Sequence, residues 1–296
     1  MTTFTPYYRP RYQVPPPPLV ARRYTLLSAA QIVPGEDGSL WEQGVEYWTT
    51  ACDMATGFVD GWCAPKDESG EPTEWDKDIR SFDPQVVTGD PFTVNSGIAC
   101  QSPVFNAVQA AEALLEQSEF LQVEQQFWLQ QMARADLLDL GDGGVFGLDD
   151  ALGVLEAEAA VRYAGQLFIH VPVHALAMLL RLRLAERAGT QFTTPSGSVL
   201  VPGAGYKDAL GPGGERPPST GYWVLATGQV QIRRSPVFTN SAFDVKKNRQ
   251  GAIAERTYVI TADCFAAAIR VDPCKCTPTT SDGGDSATAQ TEAPVE

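Results

Sequence analysis

Residues 103–133 carry the one long, regularly patterned stretch of the chain, and it limits the folds open to the rest. Pro103 opens it. Val104, Val108, Ala111 and Leu115 recur at spacings of three and four, and Leu114, Leu121 and Trp128 at seven, the spacings of one helical face. At 1.5 Å per residue such a helix is on the order of 45 Å long, more than about twice the mean helix length. It does not belong to a bundle, because 22 prolines and 26 glycines among 296 residues demand many turns. With 44% hydrophobic and 20% charged residues the chain is globular and long enough to bury a sizeable core.

Two segments before the helix have opposite characters. Residues 1–25 hold Arg9, Arg11, Arg22 and Arg23, no acid, four tyrosines (7, 8, 12 and 24) and a proline run at 15–18. This composition favours an extended, polyproline-like arm. Residues 36–90 set fourteen acids against Lys66, Lys77 and Arg80, with Trp41, Trp48, Trp62 and Trp75 scattered among Gly, Pro and Asp. The segment reads as a long excursion with strands near 85–87 and 92–98, and its aromatic residues imply that it packs on something. The arginines of the arm suit the acidic excursion of another copy better than they suit nucleic acid.

After the helix, 136–147 is an Asp/Gly loop. Leu152, Leu155, Ala159 and Tyr163 mark a second helix capped by Asp149 or Asp150. A strand at 166–171 leads to a third helix that starts at Pro172 and ends at Gly189. Strand signals then dominate: 198–201, 223–226, Val230 with Ile232, and 258–261. The tail from 274 carries almost nothing that could form a core and is expected to be disordered.

Several function classes are disfavoured. A net charge of −14 opposes a general phosphate-binding surface. The longest apolar run, 167–180, is interrupted by His170, Pro172 and His174 and is too short for the ~20 residues of a membrane span. The first residues lack a secretory pattern, so synthesis in the cytoplasm is expected. There the six cysteines (52, 63, 100, 264, 274 and 276) are expected as reduced thiols. Cys274 and Cys276 alone cannot close a zinc site. His170 and His174 stand four apart, but Pro172 between them separates a strand from a helix, so the rings need not converge. The run PGAG at 202–205 lacks the helix that a dinucleotide site requires and reads as a turn. Asp136, Asp139, Asp142, Asp149 and Asp150 lack the ligand order of a calcium loop. No nucleophile elbow, phosphate loop or Cys-x-x-Cys pair occurs. No cofactor and no metal is expected, and an enzyme with an atypical site at 136–150 is the weakest of the readings.

The order of arm, aromatic-bearing excursion, long helix, helix/strand unit and strand-rich end resembles the major capsid proteins of tailed phages with the Hong Kong 97 type fold. Local runs look like those of phages infecting actinobacteria: DPFTV at 90–94 and Cys100 before a helix bearing Glu112, Glu119 and Glu124; LE at 155–156; IH at 169–170; TTPSG at 193–197; VPGAGY at 201–206; ATG at 226–228; and AERTY at 254–258. The resemblance covers about 20–273. It implies an α+β fold with an N-terminal arm at 1–30, an extended region with the E-loop at 31–100, and the spine helix and start of the peripheral domain at 101–200. An axial domain at 201–255, a return strand to the peripheral domain at 256–273 and a tail at 274–296 complete it.

The resemblance further implies self-assembly as hexamers and pentamers into an icosahedral head around double-stranded DNA that is only weakly contacted, and a place in the virion. Scaffolding, portal and decoration proteins are the implied partners, with no membrane. Inter-subunit contacts are expected at Arg9, Arg11, Arg22, Arg23, Trp62, Trp75, Glu119 and Glu124. Lys66, Lys77 and Asn248 are conceivable cross-linking residues, but nothing in their spacing shows such a bond. Alternatives are an encapsulin-like nanocompartment shell, a minor virion protein of the decoration or tail type, and an enzyme.

Overall fold

The computed structural model describes residues 22–34, 40–55, 69, 85–100, 106–142 and 144–275. In chain order the helices are α1 (Leu26–Ala29), α2 (Ala107–Met132), α3 (Leu148–Arg162) and α4 (Leu176–Arg181). The strands are β1 (Gln31–Pro34), β2 (Val45–Thr49), β3 (Gln85–Gly89), β4 (Pro91–Cys100), β5 (Leu138–Asp139), β6 (Phe168–Pro172) and β7 (Glu186–Ala188). They continue with β8 (Gln191–Thr193), β9 (Val199–Gly203), β10 (Tyr222–Thr227), β11 (Val230–Arg234), β12 (Phe238–Asp244), β13 (Arg249–Ala262) and β14 (Ala266–Val271).

The long helix is present. Asn106 caps it by accepting from the Gln109 N–H at 3.2 Å, and the expected start at Pro103 lies outside the described residues. Its seven-residue set behaves as a straight helix dictates. A strict heptad drifts by roughly 20° per repeat, so Leu114 is exposed, Leu121 half-buried and Trp128 buried. The stripe that stays inside is Ala107, Ala111, Leu115, Glu119, Val123, Glu124, Phe127, Trp128 and Gln131.

Two sheets meet on α2. In the five-stranded sheet the order is β1-β11-β13-β12, with β4 on the other side of β13. The first half of α2 packs here, and the Ser96 hydroxyl of β4 donates to the Ala111 carbonyl at 2.5 Å. The seven-stranded sheet runs β5-β14-β10-β6-β9-β8-β7, and the second half of α2 reaches it through Phe127 on His170 and Trp128 on Tyr206. Phe168, Val201, Trp223, Leu225 and Ala268 share the core with α2, whereas Ile169, Leu200, Val224, Ala267 and Ile269 share one with α3 and α4. A sheet covered on both faces selects apolar residues at consecutive positions, which is why 222–226 reads as an unbroken apolar run and why 167–171 and 266–271 are apolar but for His170 and Arg270.

Some expectations need correction. Pro172 ends β6, a single 3-10 turn (Val173–Ala175) follows, and α4 stops at Arg181. Arg183 adopts a left-handed φ of 59° that ends the helical path, so the stretch to Gly189 becomes the β7–β8 hairpin. The cap of α3 is Gly147, with Asp149 and Asp150 in the first turn, where they complement the helix dipole. Residues 200 and 255 lie within β9 and β13, and 201–255 contributes strands to both sheets. Among the described residues no helix is long and apolar enough to cross a membrane.

Candidate functional site

Three features set the functional surfaces: a polar network that fixes α2, the root of the acidic excursion, and two projecting ribbons.

Glu119 and Glu124 lie on the buried stripe of α2. Both oxygens of Glu119 accept from the single Nη1 of Arg256 of β13, each at 2.8 Å, with Arg234 of β11 at 4.0 Å. Glu124 is fully buried and accepts the Leu26 N–H at 3.3 Å and the Gly205 N–H at 2.9 Å. Burial raises its pKa to about 7, outweighing the backbone donors and Arg22, which act in the opposite direction. Both carboxylates, expected at subunit contacts, are therefore placed inside the protomer. Their partners join segments 80 to 140 residues away, and spacing along the sequence carries no signal of that. Arg256 lies in the AERTY run at 254–258, but its role there is not visible without the fold.

Gly205 explains the PGAG run. A Cβ there would lie 2.6 Å from the Glu124 Cβ and 2.9 Å from the Gln125 nitrogen and the Leu121 oxygen. The turn presses on the helix backbone, and only glycine fits. In and just after the TTPSG run, the hydroxyls of Thr194, Ser196 and Ser198 all donate to Glu156 of α3.

His170 and His174 do not converge. His174 lies edge-on to Tyr222, whereas His170 is fully buried between the Tyr206 hydroxyl (3.2 Å from Nδ1) and Thr227 Oγ1 (3.0 Å from Nε2). The Thr227 hydroxyl donates to the Gly228 carbonyl at 2.9 Å, so it accepts from Nε2–H, and Nδ1 accepts from Tyr206. Burial depresses the imidazole pKa to about 3 and keeps the ring neutral. The aspartates of 136–150 spread apart: Asp136 pairs with Arg134 at 2.6 Å and Asp139 accepts the Gly141 N–H. No cluster of three or more metal-ligating side chains occurs among the described residues.

Arg22 lies over the Phe120 ring of α2, with its guanidinium carbon 5.2 Å from the centroid, and Arg23 is exposed. Arg9, Arg11, Trp62, Trp75, Lys66 and Lys77 lie outside the described residues, as do Cys63, Cys276 and most of the expected tail.

At the excursion's root, β2 and β3 form a two-stranded ribbon in which Trp48 faces Val86, both exposed. Immediately beyond β2, Cys52 is joined by a disulfide to Cys264 in the β13–β14 turn, with the Cα atoms 6.1 Å apart. The expectation of reduced thiols is overturned for this pair. A separation of 212 residues hid the pairing from the sequence. The second ribbon is three-stranded, the first half of β13 lying between β12 and the second half of β4; it exposes Phe238, Phe243 and Val245 and ends in Lys246, Lys247 and Arg249. Asp244 shapes its tip by accepting the Lys246 N–H at 3.0 Å.

No family model and no curated protein matches the chain by sequence. Solved structures similar to it include capsids and an encapsulin complex. The capsid of a native GTA particle matches with a TM-score of 0.53 at 10% identity, over 90% of this chain and 95% of that one. The capsid of Ralstonia phage GP4 matches with a TM-score of 0.51 at 9% identity, over 94% of this chain and all of the other. The holo-SrpI encapsulin complex from Synechococcus elongatus matches with a TM-score of 0.50 at 12% identity, over 91% and 94%. The chain has the Hong Kong 97 type fold of phage capsids, an α+β architecture shared with an encapsulin.

Proposed function

We propose that this chain is a major capsid protein that assembles as hexamers and pentamers into an icosahedral head around double-stranded DNA. The observation that carries the reading is the shell fold over nine-tenths of the chain. It is supported by two ribbons that leave Trp48 69%, Phe238 62%, Phe243 58% and Val245 80% exposed in a single protomer. Large apolar side chains held out on ribbons are surface that neighbouring copies bury.

In this reading α2 with the five-stranded sheet is the peripheral part and the seven-stranded sheet with α3 and α4 the axial part. The first 30 residues act as the arm and the acidic excursion as the E-loop, so Arg9, Arg11, Arg23, Trp62 and Trp75 remain proposed contacts. Synthesis in the host cytoplasm and partnership with scaffolding, portal and decoration proteins follow from the same reading. The net charge of −14 suits a container that holds DNA only weakly.

The test is electron microscopy and size-exclusion chromatography of the purified chain, with and without co-expressed scaffolding protein. Closed particles are expected, and uniform monomer under every condition overturns the proposal. The likeness to an encapsulin favours a second reading, a nanocompartment shell. Nuclease-protected DNA in native particles supports the head, and protein cargo without DNA supports the compartment.

A further inference from the structure

The Cys52–Cys264 bond is the chemistry that a shell fold does not require. Its surroundings show two unequal anchorages. Cys264 is buried in a turn held without the sulfur: Arg134 donates to the Asp263 carbonyl at 3.1 Å and the Cys264 carbonyl at 2.8 Å, and the Gly228 N–H donates to Phe265 at 2.9 Å. Cys52 is half-buried, and among the described residues beyond β2 its segment is joined to the body by the packing of Ala51 and Cys52 and by one backbone hydrogen bond, from the Ala164 N–H to the Ala51 carbonyl at 2.8 Å. Both cysteines line a groove of about 280 Å³ with Leu138, Val161, Arg162 and Phe265. The groove gives a small thiol or disulfide room beside the pair, and the Cys264 turn has backbone hydrogen bonds of its own.

We propose that Cys52 and Cys264 form a reversible oxidation site, filled after folding by exchange with a low-molecular-weight disulfide, which latches the root of the acidic excursion to the body. The more accessible Cys52 thiolate attacks the small disulfide, forming a mixed disulfide and releasing one thiolate. The Cys264 thiolate then attacks the Cys52 sulfur, closing the intramolecular bond and releasing the second. Two electrons pass from the cysteine pair to the small disulfide, and the two cysteine protons end on the two released thiols. In the reduced state the segment after β2 keeps its single backbone bond, so local opening there becomes easier while α2 and both sheets stay closed. That the latched element is an assembly loop rests on the shell reading; the oxidation site itself does not.

The full chain, reduced with a phosphine and freed of it, is exposed to oxidised glutathione. Alkylation and peptide mapping are expected to recover a 52–264 linked peptide, Cys264→Ser to trap glutathione on Cys52, and Cys52→Ser to leave Cys264 largely unmodified. Hydrogen exchange is expected to rise at least tenfold at 50–55 on reduction, with amides of α2 unchanged. Absence of the linked peptide, or equal exchange in the two redox states, overturns the proposal. Particle formation is scored separately in both states. Particles in neither state sink the shell reading and leave the oxidation site standing, whereas particles without a linked peptide do the reverse.

Discussion

Gly205 gives its backbone N–H to the buried carboxylate of Glu124 at 2.9 Å and touches the α2 backbone at the same place. Together with the Leu26 N–H on the other carboxylate oxygen, this pins the start of the described chain and the loop after β9 to a single turn of the long helix. Replacing Gly205 by Ala forces a Cβ against the helix backbone, and overpacking of this kind costs about 1–3 kcal/mol. A lower denaturation midpoint with an unchanged slope in denaturant is the expected result; wild-type stability in that variant contradicts the contact.

Glu124 also predicts a pH effect. Its pKa rises on folding from 4.5 to about 7, so its contribution is fully present below 4.5 and lost as pH climbs to about 7. At 1.36 kcal/mol per unit the change is about 3 kcal/mol. Glu124→Gln is expected to lower stability at acid pH, because an amide NH2 then faces a backbone N–H, and to remove Glu124's own falling contribution between pH 4.5 and 7. Denaturant titrations across that range measure both effects.

His170 acts with the opposite sign. Its pKa falls on folding from 6.5 to about 3, so its contribution is present above 6.5 and lost as pH drops toward 3. Between 4.5 and 6.5 the two groups offset each other and the wild-type profile is shallow. Glu124→Gln alone should leave stability rising with pH across this window, and His170→Gln alone should leave it falling. Parallel profiles for the two variants would refute the assignment.

The Glu119–Arg256 pair joins α2 to β13 with little exposure of either side chain. Removing one partner strands a buried charge, a loss of about 3–5 kcal/mol. Glu119→Ala and Arg256→Ala should each destabilise by that order, and Glu119→Leu combined with Arg256→Met by clearly less than the sum. A double-mutant cycle with no coupling between the two positions contradicts the pair.

The exposed ribbon of β12 and β13 separates folding from assembly. Phe243→Ser with Val245→Ser is expected to change protomer stability by less than about 0.5 kcal/mol, since neither side chain is buried. The same variant should abolish or sharply reduce closed particles seen by microscopy. Normal particles would remove this ribbon from the assembly surface.

Local pattern made much of the fold legible. The helical period at 107–132 and the largely apolar runs of β6, β9 and β10 arise because one face or both faces of each element must leave water. The helix expected from Pro172 to Gly189 was lost to Arg183, whose left-handed backbone no periodicity reports. Glu119 and Glu124 sit at helical positions that an amphipathic reading assigns to either face, so their burial was not legible, and neither was the partner of Cys52.

The residue sequence by itself determined the long helix, the arginine-rich first segment, the acidic excursion and the strand-rich second half, because periodicity and composition act over a few neighbouring residues. Only the tertiary structure decided that α2 lies between two sheets, that Arg256 and Gly205 are the partners of its buried carboxylates, and that Cys52 meets Cys264. Those pairings join residues 80 to 212 positions apart, and their energy comes from removing charge and apolar surface from water together, which no local stretch of chain can do alone.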